Sequence, residues 1–389
     1  MHIGEPELRS EDGAFTWSAT VRGLQDSPDR LWFRLPNQYA DLITHRTDPA
    51  LIGLLVPAMH QGEPLVADGP VTDELVHSLT HGYQHILETV IPALTRVPVE
   101  APGTVPASAP ASGVATGFSA GVDSYAVIAE HRFRPVPEDL RLTHLTFFNV
   151  GSHYSGESGR LRFRRRYELL APTADEIGLP FIPVDSNLDD FFAFSTYQQT
   201  YGPRNISAAS LLQGGIGRYY FAGSFAYAHT GVRRSHDTAF ADPIALPLLT
   251  TRAFRPTSHG NQYTRVEKTL IVADTPASYT SLNVCVAPAS DGTNCSKCPK
   301  CLRTELTLEI AGRLAEYRTV FDLDVYAASR SAYLDRVVLS DDEFAAEIRE
   351  QALRAGYPMP RVFTAAARSS LERARRRSRS LAHRVFGRR

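Results

Sequence analysis

The chain has 389 residues, of which 43% are hydrophobic and 21% are charged, and its formal net charge is −1. This composition excludes a wholly disordered or fibrous protein, and the length predicts two or three globular domains. No apolar segment approaches the ~20 residues that a membrane span needs, and residues 1–12 lack the apolar core of a signal peptide. A cytoplasmic protein without a membrane span is therefore the expectation.

The small net charge hides an uneven distribution along the chain. Residues 361–389 contain ten arginines and one glutamate, so this segment carries a charge of +9 and the rest of the chain carries −10. We predict a basic tail over 361–389 that docks on the acidic body or binds an anionic partner, such as RNA or a membrane surface. A solvated chain end is the alternative interpretation.

Residues 1–100 are predicted to form a small α+β domain. Phe15–Arg22 and Leu31–Leu35 alternate apolar and polar side chains, which is typical of half-buried strands. Asp73–Leu94 carries apolar residues at helical spacing. The following segment, 101–112, contains Pro, Ala, Ser and no charged residue, so we predict that it is a linker at a domain boundary, with an extended crossing segment as the alternative.

From residue 113 onward, predicted strands and helices alternate. The strands are Gly113–Phe118, Leu142–Val150 and Pro180–Val184, and the helices are Tyr125–His131 and Leu161–Ile177. This alternation predicts an α/β fold with a doubly wound parallel sheet. Ala208–Ala228 is rich in small and aromatic residues and is predicted to hold a buried helix. We expect a catalytic domain over 113–316 and a helical extension over 317–360.

The first predicted strand of this domain is followed by a loop of small residues. Its members are Ser119, Ala120, Gly121, Val122, Asp123 and Ser124. Small side chains allow a ligand to approach the backbone, and the amide groups at the start of the next helix form a site suited to phosphates. Asp123 fits such a site if it binds a Mg²⁺ ion that bridges the phosphates. A Walker loop is excluded because no Gly-Lys-Ser/Thr follows, and a chance turn is the alternative.

All four cysteines of the chain lie within one short segment. They are Cys285, Cys295, Cys298 and Cys301. Four thiolates at this spacing predict a closed, structural zinc site in a reducing compartment. An iron–sulfur cluster with the same ligands and a pair of disulfides are the alternatives.

Three motifs in this order resemble a known family. Ser119–Ser124 is similar to the SGGxDS signature of the PP-loop ATP pyrophosphatases, with Ala120 in place of the first glycine. Cys285 and the run Asn294–Arg303 are similar to the zinc knuckle of the 7-cyano-7-deazaguanine synthases, a branch of that family. Gly202-Pro203-Arg204-Asn205 resembles a segment that precedes a long helix in that branch. The resemblance covers about half of the chain, from residue 113 to about 312.

The resemblance implies a fold of the PP-loop/HUP type and a set of nucleotide-binding residues. ATP with Mg²⁺ would bind over the 119–124 loop. Because ligands of doubly wound sheets bind at the carboxyl ends of the strands, Asn149 and Gly151, in the loop after the second strand, are candidates for contact with adenine and ribose, with an ordinary Gly/Ser loop as the alternative. Arg204 and Lys268 are candidates to neutralise the departing pyrophosphate or the acyl-adenylate oxyanion, so the predicted catalytic residues are Asp123, Arg204 and Lys268. For Lys268, a solvated helical face shared with Arg265 and Glu267 is the alternative. Five arginines between Arg160 and Arg166 are expected to be solvated, with a nucleic-acid contact as the alternative.

The implied activity is the ATP-dependent adenylation of a small-molecule acceptor, such as a carboxylate, with release of pyrophosphate. A nitrogen nucleophile would then displace AMP to give an amide, a nitrile or a ligated product. No glutaminase nucleophile is evident, because the four cysteines are assigned to the metal and residue 2 is His. The alternatives are a tRNA-modifying enzyme of the same class, either a thiolase or a lysidine-type ligase, and a non-catalytic nucleotide-binding protein. The acceptor, the donor and the oligomeric state are left open, with a homodimer as one expectation.

Overall fold

The computed structural model describes residues 1–285, 292–368 and 370. The chain divides into two compact units, Met1–Tyr263 and Thr264–Arg389. The segment 101–112, predicted as a linker, lies inside the first unit. Residues 1–100 contribute strands to the same sheet as the residues that follow the segment 101–112.

One large sheet organises the first unit. The strands of this unit, in chain order, are β1 (His2–Ile3), β2 (Glu7–Glu11), β3 (Ala14–Arg22), β4 (Arg30–Pro36), β5 (Leu65–Ala67), β6 (Val71–Thr72), β7 (Val99–Glu100), β8 (Thr104–Val105), β9 (Gly113–Gly117), β10 (His144–Phe148), β11 (Phe181–Ser186), β12 (Ile216–Ala222) and β13 (Arg255–His259). Eleven of them form the sheet in the order β13-β12-β9-β10-β11-β4-β3-β1-β5-β7, with β2 paired to β3, while β6 pairs with β8.

The five strands β13, β12, β9, β10 and β11 are parallel, which confirms the predicted α/β class with a largely parallel central sheet. From β9 the chain proceeds through β10 to β11 on one side, and then through β12 to β13 on the other. The strand order therefore reverses between β9 and β12. In open α/β sheets, ligands bind beside such a reversal, at the carboxyl ends of the strands.

The helices of the first unit cover this sheet and fill its core. They are α1 (Asp48–Gln61), α2 (Asp73–Ser78), α3 (Gln84–Val90), α4 (Val122–Ile128), α5 (Gly156–Ile177), α6 (Tyr197–Leu211) and α7 (Asp242–Ala245). A π-helical turn, Leu79–Tyr83, joins α2 to α3, and another, Ala129–Phe133, extends α4. The main hydrophobic core includes residues of α1, α6 and both halves of the sheet.

Two local predictions between residues 200 and 228 differ from the structure. The predicted buried helix over Ala208–Ala228 is wrong, because α6 ends at Leu211 and β12 occupies Ile216–Ala222. β12 pairs on both sides and is buried on both faces, so its sequence lacks the alternation that identifies a half-buried strand. Arg204 and its neighbours lie inside α6 and do not precede it.

The second unit is helical, and its helices are α8 (Arg265–Ala273), α9 (Pro299–Ile310), α10 (Leu323–Leu339) and α11 (Glu343–Arg354). Residues 362–368 are also helical. α10 and α11 lie within the segment 317–360, for which the sequence predicts helices. The greater part of the predicted basic tail, residue 369 and residues 371–389, lies outside the described residues. None of the helices in the described ranges combines the length and the apolar character that a bilayer crossing requires.

Candidate functional site

The predicted phosphate loop connects β9 to α4, at the point where the strand order reverses. Its entry is fixed by Phe118, whose amide donates to the Thr146 carbonyl of β10 at 2.8 Å. The Phe118 ring is buried, and its centroid lies 5.4 Å from that of Tyr125 in α4. The loop is therefore held between the second strand and the first turns of the helix.

Within the loop, polar groups bond to one another across the start of α4. The Ser124 hydroxyl donates to the Gly121 carbonyl at 3.0 Å, and the Gly121 amide donates to Ser119 Oγ at 3.4 Å. Gly121 is the N-cap residue and supplies no capping side chain, so the first turn of α4 is not capped by a side chain of that residue. Asp123 lies half-buried in that first turn. Amides, two hydroxyls and one carboxylate form a donor set that fits a phosphate chain with a bridging Mg²⁺.

Ala120 has a left-handed backbone conformation. Its φ is +58°, and its methyl group is completely buried. For a residue other than glycine this conformation costs about 1–2 kcal/mol. Because alanine disfavours positive φ, the replacement of the first glycine of the motif by Ala120 predicts an altered loop. The structure instead retains the left-handed turn, and the surrounding packing compensates for its cost.

The loop that follows β10 lies along the same carboxyl edge of the sheet and contains the predicted residues Asn149 and Gly151. Asn149 is buried, and its side-chain amide donates to Asp185 at 2.7 Å. Gly151 has a φ of +118°, and a Cβ atom there would lie 2.3 Å from Nη1 of Arg204 and 2.5 Å from Oδ1 of Asp189. Only glycine fits this position, because the loop backbone passes directly over that ion pair.

The Arg204 guanidinium is buried beneath this loop. It pairs with the Asp189 carboxylate and donates to the Val150 carbonyl at 3.3 Å. It also donates to Thr200 Oγ1 at 2.8 Å, and it lies 3.9 Å from the centre of the Phe192 ring. These contacts direct its hydrogen bonds into the protein, so in this structure Arg204 supports the 149–151 loop from below.

His153 ends the same loop and is buried. Burial, together with the positive charges of Arg166 and Arg162, lowers the pKa of His153 to about 3. Its imidazole is therefore neutral at physiological pH, and Nδ1 lies 3.0 Å from the Ser152 hydroxyl. This residue contributes hydrogen-bonding capacity without charge.

Lys268, the third predicted catalytic residue, belongs to the second unit. It lies on α8, which begins with a capping box between Thr264 and Glu267, and it is 1% exposed. The structure thus brings Arg204 and the 149–151 loop together in the first unit. Lys268, by contrast, is a buried residue of the second unit.

The four cysteines converge in the second unit, as their spacing predicts. The Sγ atoms of Cys285 and Cys298 are 4.0 Å apart, and those of Cys298 and Cys301 are 3.5 Å apart. All four Sγ atoms lie within 4.8 Å of one another. Tetrahedral zinc with Zn–S bonds of ~2.3 Å places its sulfur ligands about 3.8 Å apart, which matches these separations. All four cysteines are free thiols here, so the disulfide alternative is wrong.

The knuckle holds its sulfur atoms with backbone amides. The Cys298 amide lies 3.3 Å from Sγ of Cys295, and the Cys301 amide lies 3.5 Å from Sγ of Cys298. The Asn294 side chain accepts from the Val284 amide at 2.9 Å, which ties the segment before Cys285 to the knuckle. These contacts position the four sulfur ligands for one ion.

Burial raises the pKa of the Cys295 and Cys301 thiols. This shift favours the neutral form of these two thiols, and a bound cation would compensate the charge of their thiolates. The donor set is a closed group of four sulfur ligands, which fits a structural zinc ion and leaves no thiol of the group available as a nucleophile.

Several residues around the site were missed by the sequence analysis. Asp185 lies at the end of β11 and accepts a hydrogen bond from Asn149 in the loop after β10. Asp189 follows β11 and pairs with the guanidinium of Arg204. Their only sequence signal was their position near the end of a predicted strand. Comparison with protein-family models, with curated proteins and with solved structures finds no match for this chain. The resemblance to PP-loop enzymes therefore rests on the motifs of the chain alone.

Proposed function

We propose that this protein is an ATP-dependent enzyme of the PP-loop class, which adenylates a small-molecule acceptor and releases pyrophosphate. The observation that carries the proposal is the loop at Ser119–Ser124. It lies at the reversal of strand order, begins a helix without a capping side chain, and retains a left-handed residue at Ala120. A strained backbone at the expected ligand-binding edge is a recurrent feature of functional sites.

In the proposed reaction, an oxygen of the acceptor attacks the α-phosphorus of ATP and pyrophosphate departs. The first-turn amides of α4 and the hydroxyls of Ser119 and Ser124 bind the phosphate oxygens. Mg²⁺ bound by Asp123 would neutralise charge between the phosphates. The chain thus acts mainly by positioning and by electrostatic stabilisation. Attack on the adenylate by a nitrogen nucleophile then releases AMP and completes the reaction.

The structure suggests a supporting function for Arg204, in place of direct contact with pyrophosphate. Its guanidinium bonds to Val150 and Asp189 beneath the loop that contains Gly151. We infer that Arg204 fixes the backbone of the proposed adenine and ribose loop. The same arrangement places the buried Asn149 beside Asp185.

The test is the identity of the products formed from ATP. With Mg²⁺, a panel of carboxylic acids and ammonium as the nitrogen nucleophile, we expect AMP and pyrophosphate in equal amounts. Asp123→Asn is expected to lower the rate by a factor of about 10² or more, because a metal contact is lost. Asp73→Asn is the matched control, since Asp73 is an exposed carboxylate in the first turn of another helix, α2. Formation of ADP and phosphate, or an unchanged rate in Asp123→Asn, would contradict the proposal.

A tRNA-modifying enzyme of the same class is the second candidate. The five arginines of the 160–166 run lie in the first half of α5, which follows the loop containing Asn149 and Gly151. Arg164 pairs with Glu157 at 2.8 Å, Arg160 lies 5.0 Å from the centre of the Trp32 ring, and Arg162 lies 4.9 Å from the centre of the Tyr154 ring. Salt-sensitive retention of tRNA that is lost on replacing Arg164 and Arg165 would favour this candidate. Nucleotide binding without any turnover would favour a non-catalytic protein.

A further inference from the structure

The first unit contains another group of potential metal ligands. Glu130 and His131 lie on the π-helical turn that extends α4, and His259 is the last residue of β13. The Nε2 atoms of His131 and His259 are 2.9 Å apart, and Nε2 of His259 is 2.8 Å from Oε2 of Glu130. The three donor atoms lie within 4.8 Å of one another. Two imidazoles and one carboxylate therefore converge on one point.

The remaining nitrogen of His131 is fixed by the backbone. Nδ1 lies 2.9 Å from the carbonyl oxygen of Leu140. Because a carbonyl can only accept a hydrogen bond, Nδ1 carries the hydrogen, and in the neutral ring Nε2 presents a lone pair toward His259. The ring is packed against Tyr220, with centroids 4.2 Å apart. An imidazole that binds a metal through one nitrogen is commonly oriented in this way through the other.

The carboxylate is oriented by its own set of donors. The Tyr263 hydroxyl donates to Oε1 of Glu130, and the Gln262 side-chain amide donates to Oε2 at 3.2 Å. These bonds aim the carboxylate toward Nε2 of His259. Outer donors of this kind accompany carboxylates that bind metals.

This arrangement places one donor, Nε2 of His259, opposite two acceptors. Nε2 of His259 faces both the lone pair of His131 and the carboxylate of Glu130, and its single hydrogen can satisfy only one of them well. A divalent ion at the same point would bind all three atoms. With metal–nitrogen bonds of about 2.0–2.1 Å, tetrahedral ligand atoms lie about 3.3 Å apart, so the separations of 2.9 Å and 2.8 Å from Nε2 of His259 would each increase by about 0.4–0.5 Å on metal binding.

We propose that Glu130, His131 and His259 bind one divalent transition-metal ion, with zinc as the best fit to two imidazoles and a carboxylate. The side chains of His259 and Glu130 retain 21% and 14% exposure, so the site opens to solvent on one side. Three protein ligands and an open side provide a fourth position for water or for an oxygen atom of a ligand. Such a site differs in kind from the closed four-cysteine group, because a bound water would be available for chemistry.

The test uses the full-length protein, stripped with a chelator and titrated with Zn²⁺ or Co²⁺ alone. We expect two equivalents of metal per chain, one of them with the thiolate-to-cobalt absorption of the cysteine site. His259→Gln is expected to bind one equivalent and to retain that absorption. Cys298→Ser is expected to lose the thiolate absorption and to retain the other equivalent.

Glu130→Gln is the second variant, because it preserves the size of the side chain if His259→Gln fails to fold. We expect its affinity at this site to fall at least tenfold. His77→Ala is the matched control, since His77 and His81 have ring centroids 4.8 Å apart but belong to no group of three potential ligands in the described part of the chain. A single equivalent in the wild type, or two equivalents with unchanged affinity in the folded variants, would overturn the proposal.

Discussion

Ala120 illustrates how a single residue can be held in a conformation that it does not favour. Its φ is +58° and its methyl group is buried, so the packing around it opposes the backbone preference. Glycine would remove the strain, but it would also lose the methyl contacts and increase the entropy of the unfolded chain. These effects have opposite signs and similar sizes.

We therefore expect Ala120→Gly to change the free energy of unfolding by less than about 1 kcal/mol. Ala126→Gly is the control, because Ala126 is buried inside α4 with helical geometry and gains nothing from glycine. The control should lower the free energy of unfolding by about 2 kcal/mol. Urea denaturation measures both variants, and an equal loss in the two would show that Ala120 is not strained.

Asp242 is a buried carboxyl group whose ionisation state affects stability. It is the first residue of α7 and accepts a hydrogen bond from the Tyr201 hydroxyl at 2.8 Å. Burial raises the pKa of Asp242 to about 7, although the Tyr201 bond acts in the opposite direction. The folded protein therefore holds a proton at pH values where the unfolded chain has released it.

Between about pH 4 and pH 7, this raised pKa should lower the free energy of unfolding as the pH rises, by up to about 4 kcal/mol. The stabilisation is fully present below pH 4 and lost above pH 7. Asp242→Asn removes the ionisation, so its stability relative to the wild type should increase across this range. Urea denaturation at pH 5 and pH 8 tests the prediction, with exposed Asp41→Asn as the control. A stability difference independent of pH would contradict it.

At the scale of whole elements, local patterns in the sequence identified some features and missed others. The strands β9, β10 and β11 and the helix α5 were predicted because their apolar residues and flanking loops follow local rules. The four-cysteine group was predictable because its ligand spacing is itself local. β12 was not, because a strand buried on both faces does not differ in pattern from a buried helix.

Contacts between distant residues could not be predicted from local patterns. His131 and His259 are 128 positions apart, and only the order of the strands brings them together. Arg204 was recognised from its motif, but its pairing with Asp189 depends on how α6 packs beneath the loop after β10. The sequence therefore identified Arg204 as a candidate residue, but its contacts, on which its function depends, came only from the structure.

The four-cysteine group precedes and enters α9, so a metal ion bound there should control the folding of the second unit. Cys301 lies inside α9 and Cys298 is its N-cap residue, whose sulfur accepts from the Cys301 amide. We expect Cys298→Ser to bind one zinc ion fewer per chain and to lose helical signal in circular dichroism. Its unfolding midpoint should fall, since metal binding at such sites contributes on the order of 10 kcal/mol to folding.

Lys297→Ala is the control for this experiment, because Lys297 is exposed in the same turn and provides no sulfur ligand. It should retain the metal and the helical signal. Stoichiometric iron with visible absorption would instead identify an iron–sulfur cluster at the cysteines.

For the molecule as a whole, the uneven charge distribution predicts that acidic residues bind the basic segment 361–389. The described start of the basic segment is helical over 362–368, and Arg368 lies 2.6 Å from the Asp335 carboxylate. Asp335 is 6% exposed in its side chain, whereas Arg368 is about half exposed. This contact supports docking of the segment's beginning on an acidic residue of the second unit.

We expect truncation after Pro360 to lower the free energy of unfolding by about 1 kcal/mol, because Asp335 loses its partner. Combining the truncation with Asp335→Asn should recover part of that loss. Turnover of small substrates should be unchanged at low and high salt. If truncation abolishes turnover at both salt concentrations, the tail belongs to the active site.

The sheet of the first unit joins segments that leave the ribosome at very different times. The Trp32 amide on β4 donates to the Asn187 side chain just beyond β11, 155 positions later in the chain, and β4 pairs with β11 along the same edge. At about 5–20 residues per second, synthesis of the intervening chain takes roughly 8–30 s. Throughout that interval one edge of β4 has no native partner, and an unpaired strand edge invites association with other chains. The N-terminal strands therefore complete their native pairing only after β11 has been made, and a nascent chain interrupted before that point exposes an edge that the finished protein covers.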